Sequence, residues 1–311
     1  MAHPPVVLLM GPTASGKTGV AVELAACQAV DLISVDSALV YRDMNIGTAK
    51  PDAETLLKAP HALVDIVSPE DSYSAANFVN DATQLIQASH AQGRLPVLVG
   101  GTMLYFKALQ EGLSDLPVAD PALREQLQAR AQTEGWAALH AELALLDPIT
   151  AARLQPADSQ RIERALEVCI LSGEAMSTLF ARQKNNRPPF NFIPLALIPS
   201  DRAVLHERIA LRFKQMLQQG LIEEVESLRA NYQLHLDLPS MRCVGYRQTW
   251  EYLDGAYDKN ELCDRGIFAT RQLAKRQLTW LRGMEGVLSY DCLADNLFQQ
   301  IEEKIKAAAG F

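Results

Sequence analysis

The segment Gly11-Pro12-Thr13-Ala14-Ser15-Gly16-Lys17-Thr18 fits G-x-x-x-x-G-K-[ST] without a gap. A glycine-rich turn that opens a helix aims backbone N–H groups and the positive helix end at an anion. Lys17 adds a point charge, and Thr18 adds a hydroxyl suited to Mg²⁺. The motif therefore predicts a seat for a polyphosphate or diphosphate without saying what is done to it. Three further residues suit the same site. Asp36 follows the apolar run Leu32-Ile33-Ser34-Val35, and no clear run of four apolar residues ending in Asp follows the cradle, since Val97-Leu98-Val99 runs into Gly100-Gly101 where that acid could have stood. Asp36 is then the best carboxylate for the crevice, with a turn or cap aspartate as the alternative. Arg208 and Arg212 are spaced one helical turn apart, so both can face one anion.

These groups need elements to hold them. Val6–Met10, Asp31–Asp36, Leu63–Val67, Pro96–Gly101, Phe192–Ile198 and Val287–Asp291 read as short buried strands. Pro194 restricts its strand to a start or an edge. Residues 17–25, 75–91 and 103–110 alternate with the first strands as helices, and residues 40–51 read as a covering loop. This rhythm predicts an α/β fold: a P-loop-type, doubly wound, mostly parallel sheet, with ligands gathered beyond the carboxyl ends of its strands. From Asp120-Pro121, an N-cap followed by proline at the first helical position, five helical stretches follow without a strand (121–134, 136–146, 148–154, 159–172 and 174–183). They predict an inserted all-helical subdomain at 118–189, ending in the connector 184–189, within a core formed by 1–117 plus 190–311. After residue 201 an amphipathic helix carries Leu205, Ile209, Phe213, Met216 and Leu217 as its apolar stripe. Further helices at 250–253, 260–281 and 297–309 follow.

The 311 residues are 48% hydrophobic, enough to bury a large core. No apolar run reaches the length of a membrane span, and the N-terminal apolar run is too short for a signal peptide. A soluble, cytoplasmic protein with no membrane partner is expected, with a monomer as the default. The five cysteines are scattered without a C-x-x-C pair. They are expected to be small buried hydrophobes, not disulfides or zinc ligands. The net charge of −8 opposes broad nucleic-acid binding, yet Arg265, Arg271, Lys275, Arg276 and Arg282 lie in a stretch with no acid. That stretch is a local positive surface on an acidic chain. An ordinary exposed helix face remains the alternative for Lys275, Arg276, Gln277 and Arg282.

The cradle resembles that of the bacterial tRNA dimethylallyltransferases, as do Asp36-Ser37-Ala38-Leu39-Val40-Tyr41, Gly47-Thr48-Ala49-Lys50-Pro51, Gly100-Gly101-Thr102-Met103-Leu104-Tyr105, Asp158-Ser159-Gln160-Arg161, the segment Arg242-Cys243-Val244-Gly245-Tyr246-Arg247-Gln248 and the run 270–282. The blocks span nearly the whole chain. The resemblance implies transfer of a dimethylallyl group from dimethylallyl diphosphate to N6 of the adenosine 3′ of the anticodon in tRNA, with Mg²⁺. It implies Asp36 as general base, and the cradle with Arg212 and Arg208 as the diphosphate site. Lys17, Thr18 and Arg212 would stabilise the leaving group, and Thr18 would meet the metal. Contacts to tRNA are implied for Asp36, Ser37, Ala38, Leu39, Thr102, Arg124, Gln160, Arg161, Ile162, Glu163, Arg164, Arg242, Cys243, Val244, Gly245, Tyr246 and Arg247. The positive stretch adds Lys275, Arg276, Gln277 and Arg282. Eukaryotic relatives carry a C-terminal Cys/His zinc module, and no such pattern stands here, as in the shorter bacterial form.

Two rival classes share the cradle: a P-loop kinase of metabolites or nucleotides, and a nucleic-acid-binding ATPase without transfer chemistry. The positive stretch gives a test that depends on neither. Replacing Lys275 and Arg276 together by glutamine is expected to flatten the log–log salt dependence of tRNA binding by about 1.5 units. An unchanged slope, measured by filter binding, would make them an ordinary solvated face.

Overall fold

The computed structural model describes residues 3–112, 116–182 and 188–309. The chain forms two compact units, Met1–Gln110 with Pro189–Phe311, and Glu111–Pro188. The first boundary thus lies before residue 118. Most of the connector expected at 184–189 falls outside the described residues.

The first unit is built on six parallel strands, β1 (Pro5–Met10), β2 (Val30–Val35), β3 (His61–Ala62), β4 (Leu95–Gly100), β5 (Asn191–Ile198) and β6 (Leu288–Asp291), in the order β3-β2-β4-β1-β5-β6. The sheet is wholly parallel, which explains why its strands read as continuous apolar runs: both faces are covered. On one face, Val20 and Leu24 of α1 (Lys17–Cys27) and Ile301 and Ile305 of α14 (Leu297–Ala309) close over Leu9, Val97, Leu195 and Leu197. The chain moves from β1 to one side and later returns to the other, so the winding reverses beside β1. There the carboxyl ends of β1 and β4 lie in register, Met10 opposite Gly100, and the crevice expected at such a reversal opens.

Two strand expectations need correction. The third strand is His61–Ala62, not Leu63–Val67. Leu63 (φ 63°) and Asp65 (φ 57°) turn left-handed and carry the chain out of the sheet, leaving Val67 as an isolated bridge to Tyr41. Pro194 lies within β5, an internal strand. It is tolerated because β6 joins only from Leu195 onward, so Pro194 has a strand neighbour on one side alone. Of the cysteines, Cys169 and Cys292 are buried, Cys243 and Cys263 partly so, and Cys27 is exposed.

Beyond the sheet, α2 (Ala53–Lys58), α3 (Ala75–Ala91) and α4 (Met103–Glu111) precede the second unit. Helices α10 (Arg202–Gln219), α11 (Leu221–Asn231), α12 (Tyr246–Leu253) and α13 (Lys259–Arg282) follow it. Phe213, Met216, Leu221, Val225, Tyr246 and Ile267 pack with Val40, Tyr41 and Met44, so the loop after β2 belongs to a core of its own. Within the second unit, α5 (Pro121–Glu134), α6 (Trp136–Leu146), α7 (Pro148–Ala151), α8 (Ser159–Ser172) and α9 (Met176–Arg182) enclose Leu127, Leu139, Leu143, Ile162, Leu166 and Cys169. Asp120 caps α5 through the N–H groups of Ala122 and Leu123. Helix α7 ends before the residue 154 expected, and Ile170 of α8 is 45% exposed.

Gly100 shows how tightly the crevice is built. A Cβ there would lie 2.0 Å from the Val35 carbonyl oxygen. Gly100→Ala must therefore part β2 from β4, and a loss of about 1–3 kcal/mol in unfolding free energy is expected by denaturant titration. A loss below about 0.5 kcal/mol would show that the strands separate freely at that point.

Candidate active site

The cradle leaves β1 and enters α1 with Ala14 (φ 64°) and Gly16 (φ 85°) both left-handed. This alternation turns successive backbone N–H groups toward one concavity. Helix α1 has no side-chain cap and no acid in its first turn, so its N-terminal N–H groups remain available to an anion. Gly11 is required for space, because a Cβ there would stand 2.7 Å from Ser15 Oγ and 2.9 Å from the Leu197 carbonyl oxygen.

Around the cradle lies a cavity of about 940 Å³ lined by Lys17, Thr18, Asp36, Thr102, Arg208 and Arg212 among others. Lys17 Nζ donates to the Pro12 carbonyl oxygen at 2.7 Å, and the Arg212 guanidinium donates to Thr13 Oγ1. Burial lowers the Lys17 pKa to about 8, with Asp36 opposing the shift and Arg212 reinforcing it. Arg212 is lowered by burial too, with Asp36 opposing. Asp36 accepts from the N–H groups of Ala38 (2.8 Å) and Leu39 (3.4 Å). Its pKa is raised: burial outweighs those hydrogen bonds and the charges of Lys17 and Arg212. Thr102 Oγ1, just beyond β4, accepts from the Ser37 N–H at 3.0 Å and so fixes the segment that carries Asp36. Such an arrangement seats an anion, sheds its negative charge onto fixed donors and offers one carboxylate as proton acceptor.

A divalent cation suits this donor set. The Thr18 hydroxyl is a hard oxygen donor on the cavity wall. Among the described residues no cluster of three His, Cys, Asp or Glu side chains gathers to enclose a metal. Mg²⁺ at phosphate sites keeps several waters and takes few protein ligands, so one hydroxyl beside a phosphate seat fits it.

Residues 39–284 match the family model described as IPP transferase. The chain belongs to the IPP transferase family. It is 57% identical to the tRNA dimethylallyltransferase of Dechloromonas aromatica over 98% of this chain and 97% of that one. The tRNA dimethylallyltransferase of Chromobacterium violaceum is 62% identical over 91% and 88%. Among solved structures, the full-length tRNA isopentenylpyrophosphate transferase of Bacillus halodurans superposes with a TM-score of 0.69 at 36% identity, covering 98% and 97% of the two chains. A eukaryotic dimethylallyltransferase acting on tRNA shares the fold, with a TM-score of 0.79 at 22% identity, covering 97% of this chain and 78% of that one.

Within this family member, the residues expected to meet tRNA separate into groups. In the first unit, Ser37, Ala38, Leu39, Thr102, Arg242, Cys243 and Val244 line the cavity, and Arg276 does so from α13. Lys275, Arg276 and Arg282 are exposed and make no ion pair with another described residue, while Arg247 is exposed and paired with Glu251 at 3.0 Å. Gly245 (φ 96°) is buried and donates its N–H to Gln248 Oε1. Tyr246 is a correction, being fully buried with its hydroxyl donated to Glu224. Gln277 is another: it does not share the exposed face of its neighbours but turns inward, 8% exposed. In the second unit, Gln160 is exposed, Arg161 is exposed and paired with Asp158 at 3.0 Å, and Glu163 accepts from Gln128 at 2.9 Å. Arg124 and Arg164 both grip Glu167, which is fully buried. Burial would raise the Glu167 pKa, but these two arginines and the Asp120 N–H bring it below the usual range. Ile162 is fully buried in the core of that unit, so its side chain presents nothing to RNA.

Sequence reasoning missed Glu224. Its carboxylate accepts from three successive backbone N–H groups, those of Asn45, Ile46 and Gly47, and from the Tyr246 hydroxyl at 2.6 Å. It thereby fixes the 47–49 segment that walls the cavity. The only signal was an acid in the first turn of α11, where solvent-facing glutamates are common.

The lysine pKa gives a pH dependence. Below about 8, Lys17 carries the charge that an anion needs; above it, the free protein loses that charge and binding must recover the proton. Affinity for inorganic diphosphate, corrected for the ligand's own ionisation, is expected to be level up to pH 8 and then to weaken by up to about tenfold per unit. Calorimetry in buffers of different ionisation enthalpy should show proton uptake near pH 8.5. A flat affinity up to pH 9.5 with no uptake would refute the assignment.

Proposed function

We propose that this chain transfers the dimethylallyl group of dimethylallyl diphosphate to the exocyclic N6 of the adenosine 3′ of the anticodon (position 37) in tRNA. The observation that carries this reading is Asp36, a carboxylate of raised pKa facing the same cavity as a diphosphate cradle. A cradle alone would serve many phosphate chemistries. A buried base opposite it suits a reaction in which diphosphate leaves while a weak nitrogen nucleophile attacks. Relatives named tRNA dimethylallyltransferase, similar over nearly all of this chain, support the same reading.

The reaction breaks the bond between the allylic C1 and the diphosphate oxygen, whose electron pair leaves with the diphosphate. The N6 lone pair forms the new C–N bond, and the N6 proton passes to an Asp36 carboxylate oxygen. The lone pair of N6 is delocalised into the ring, so proton removal during attack makes the amine competent. Lys17, Arg212 and the N–H groups at the start of α1 receive the charge that develops on the diphosphate. Arg208 adds a third cation at the cavity wall. Mg²⁺, held by Thr18 Oγ1 and the diphosphate itself, would supply further charge neutralisation. Met103, Leu104, Ile209, Phe213 and Met216 give the cavity an apolar wall for a five-carbon group and exclude water from it. The adenosine must leave its stack to reach Asp36, so tRNA is bound with that base extruded. Among the described residues no helix is long and apolar enough to cross a membrane.

Purified protein, Mg²⁺, labelled dimethylallyl diphosphate and unmodified tRNA provide the direct test. Label entering RNA supports the transferase, and ATP consumption with label left free favours a kinase or ATPase. Asp36→Asn keeps shape and one acceptor but cannot take the proton. Single-turnover transfer with both substrates saturating is expected to slow by about 10²–10⁴-fold, with each substrate still bound. A rate within a few-fold of the parent would remove Asp36 from the chemistry.

A further inference from the structure

Gln277 is buried on α13, whereas Lys275, Arg276 and Arg282 of the same helix are exposed. Its Oε1 accepts from the Thr13 N–H at 2.8 Å, inside the cradle, and its Nε2 donates to the Gly101 carbonyl oxygen at 2.9 Å. The fit at the second contact is close, since a Cβ on Gly101 would stand 2.3 Å from Nε2. One amide thus spans the mouths of two neighbouring strands, holding the turn after β1 against the turn after β4.

Each end of this bridge leads to a reacting group. Thr13 also receives the Arg212 guanidinium on its hydroxyl, so the cradle residue is held from α13 at its backbone and from α10 at its side chain. Gly101 is followed by Thr102, which receives the Ser37 N–H and donates its own N–H to the Val35 carbonyl oxygen at 3.1 Å. Val35 and Ser37 flank Asp36. Gln277 therefore joins the diphosphate seat to the segment carrying the base through two short, directional contacts. The Gly101 contact is buried and the Thr13 contact partly so, and a hydrogen bond removed from water keeps more of its strength.

We propose that Gln277 is a positioning residue for the transfer reaction: it sets the distance between the donor cradle and Asp36 and makes no contact with tRNA itself. The idea rests on the transferase reading. A displacement of about 1 Å between donor carbon and nucleophile is enough to cost a large factor in rate without weakening the binding of either substrate. The effect of losing the bridge should then fall on the transfer step. A residue that touched RNA would instead change tRNA affinity, and a residue that only filled space would change stability.

Gln277→Met keeps most of the volume and removes both hydrogen bonds. Single-turnover transfer at saturating substrates is expected to slow by about 10–10²-fold. The donor KM and the tRNA dissociation constant should stay within about threefold, and the melting temperature near that of the parent. Hydrogen exchange at the Thr13 amide, monitored in peptides spanning residues 11–18, should accelerate at least about tenfold while peptides from β5 are unchanged. A full transfer rate, or a loss appearing mainly in tRNA affinity, would overturn the proposal. Unchanged exchange at Thr13 would overturn it as well, and this arm requires no substrate. Failure of the unaltered protein to label tRNA would instead reject the transferase reading, leaving the bridge itself to be judged by exchange.

Discussion

Three ionisable groups, Lys17, Arg212 and Asp36, share one poorly solvated cavity, and burial pushes each toward its neutral form. The attraction between Asp36 and the two cations opposes that push without cancelling it. Two cations and one anion leave an unbalanced positive charge, which a bound diphosphate would compensate. The site is therefore incomplete by itself in an electrostatic sense, and the fold has to hold together a cluster that would relax if its supports were loose. The sheet reversal beside β1, the left-handed residues of the cradle, the Thr102 contact to Ser37 and the Glu224 latch all serve that demand.

Much of this was legible in the sequence because it rests on local chemistry. A gapless cradle motif between an apolar run and a helix admits few other conformations, and glycines 11 and 16 stand where space and a positive φ require them. Five of the six strands were equally plain, since a parallel sheet covered on both faces writes itself as apolar runs, whereas helices α2 and α11 were not read. Asp36 was found for the same reason: it directly follows such a run.

What escaped reading depends on contacts between distant residues. Leu63–Val67 has the composition of a strand, yet its backbone is claimed by left-handed turns and by the loop at Val40, which no local pattern reveals. Gln277 and Tyr246 lie among polar or basic neighbours and are buried because of what faces them across the fold. Arg124 read as an available cation, but the buried Glu167 that occupies it lies 43 positions away. Charge pattern along a helix locates a surface; it does not say which members of that surface are already engaged.

The Glu224 latch carries an evolutionary consequence. A Cβ on Gly47 would lie 2.5 Å from the Tyr246 ring, and the same Tyr246 donates to the carboxylate that gathers the 45–47 backbone. Positions 47, 224 and 246 consequently form one unit of inheritance. A side chain at 47 is tolerable only with a smaller residue at 246, and that change strips the carboxylate at 224 of its hydroxyl donor. Drift at any one of the three must wait for the others, so this wall of the cavity should diverge in steps, while the solvent-facing residues around it vary singly.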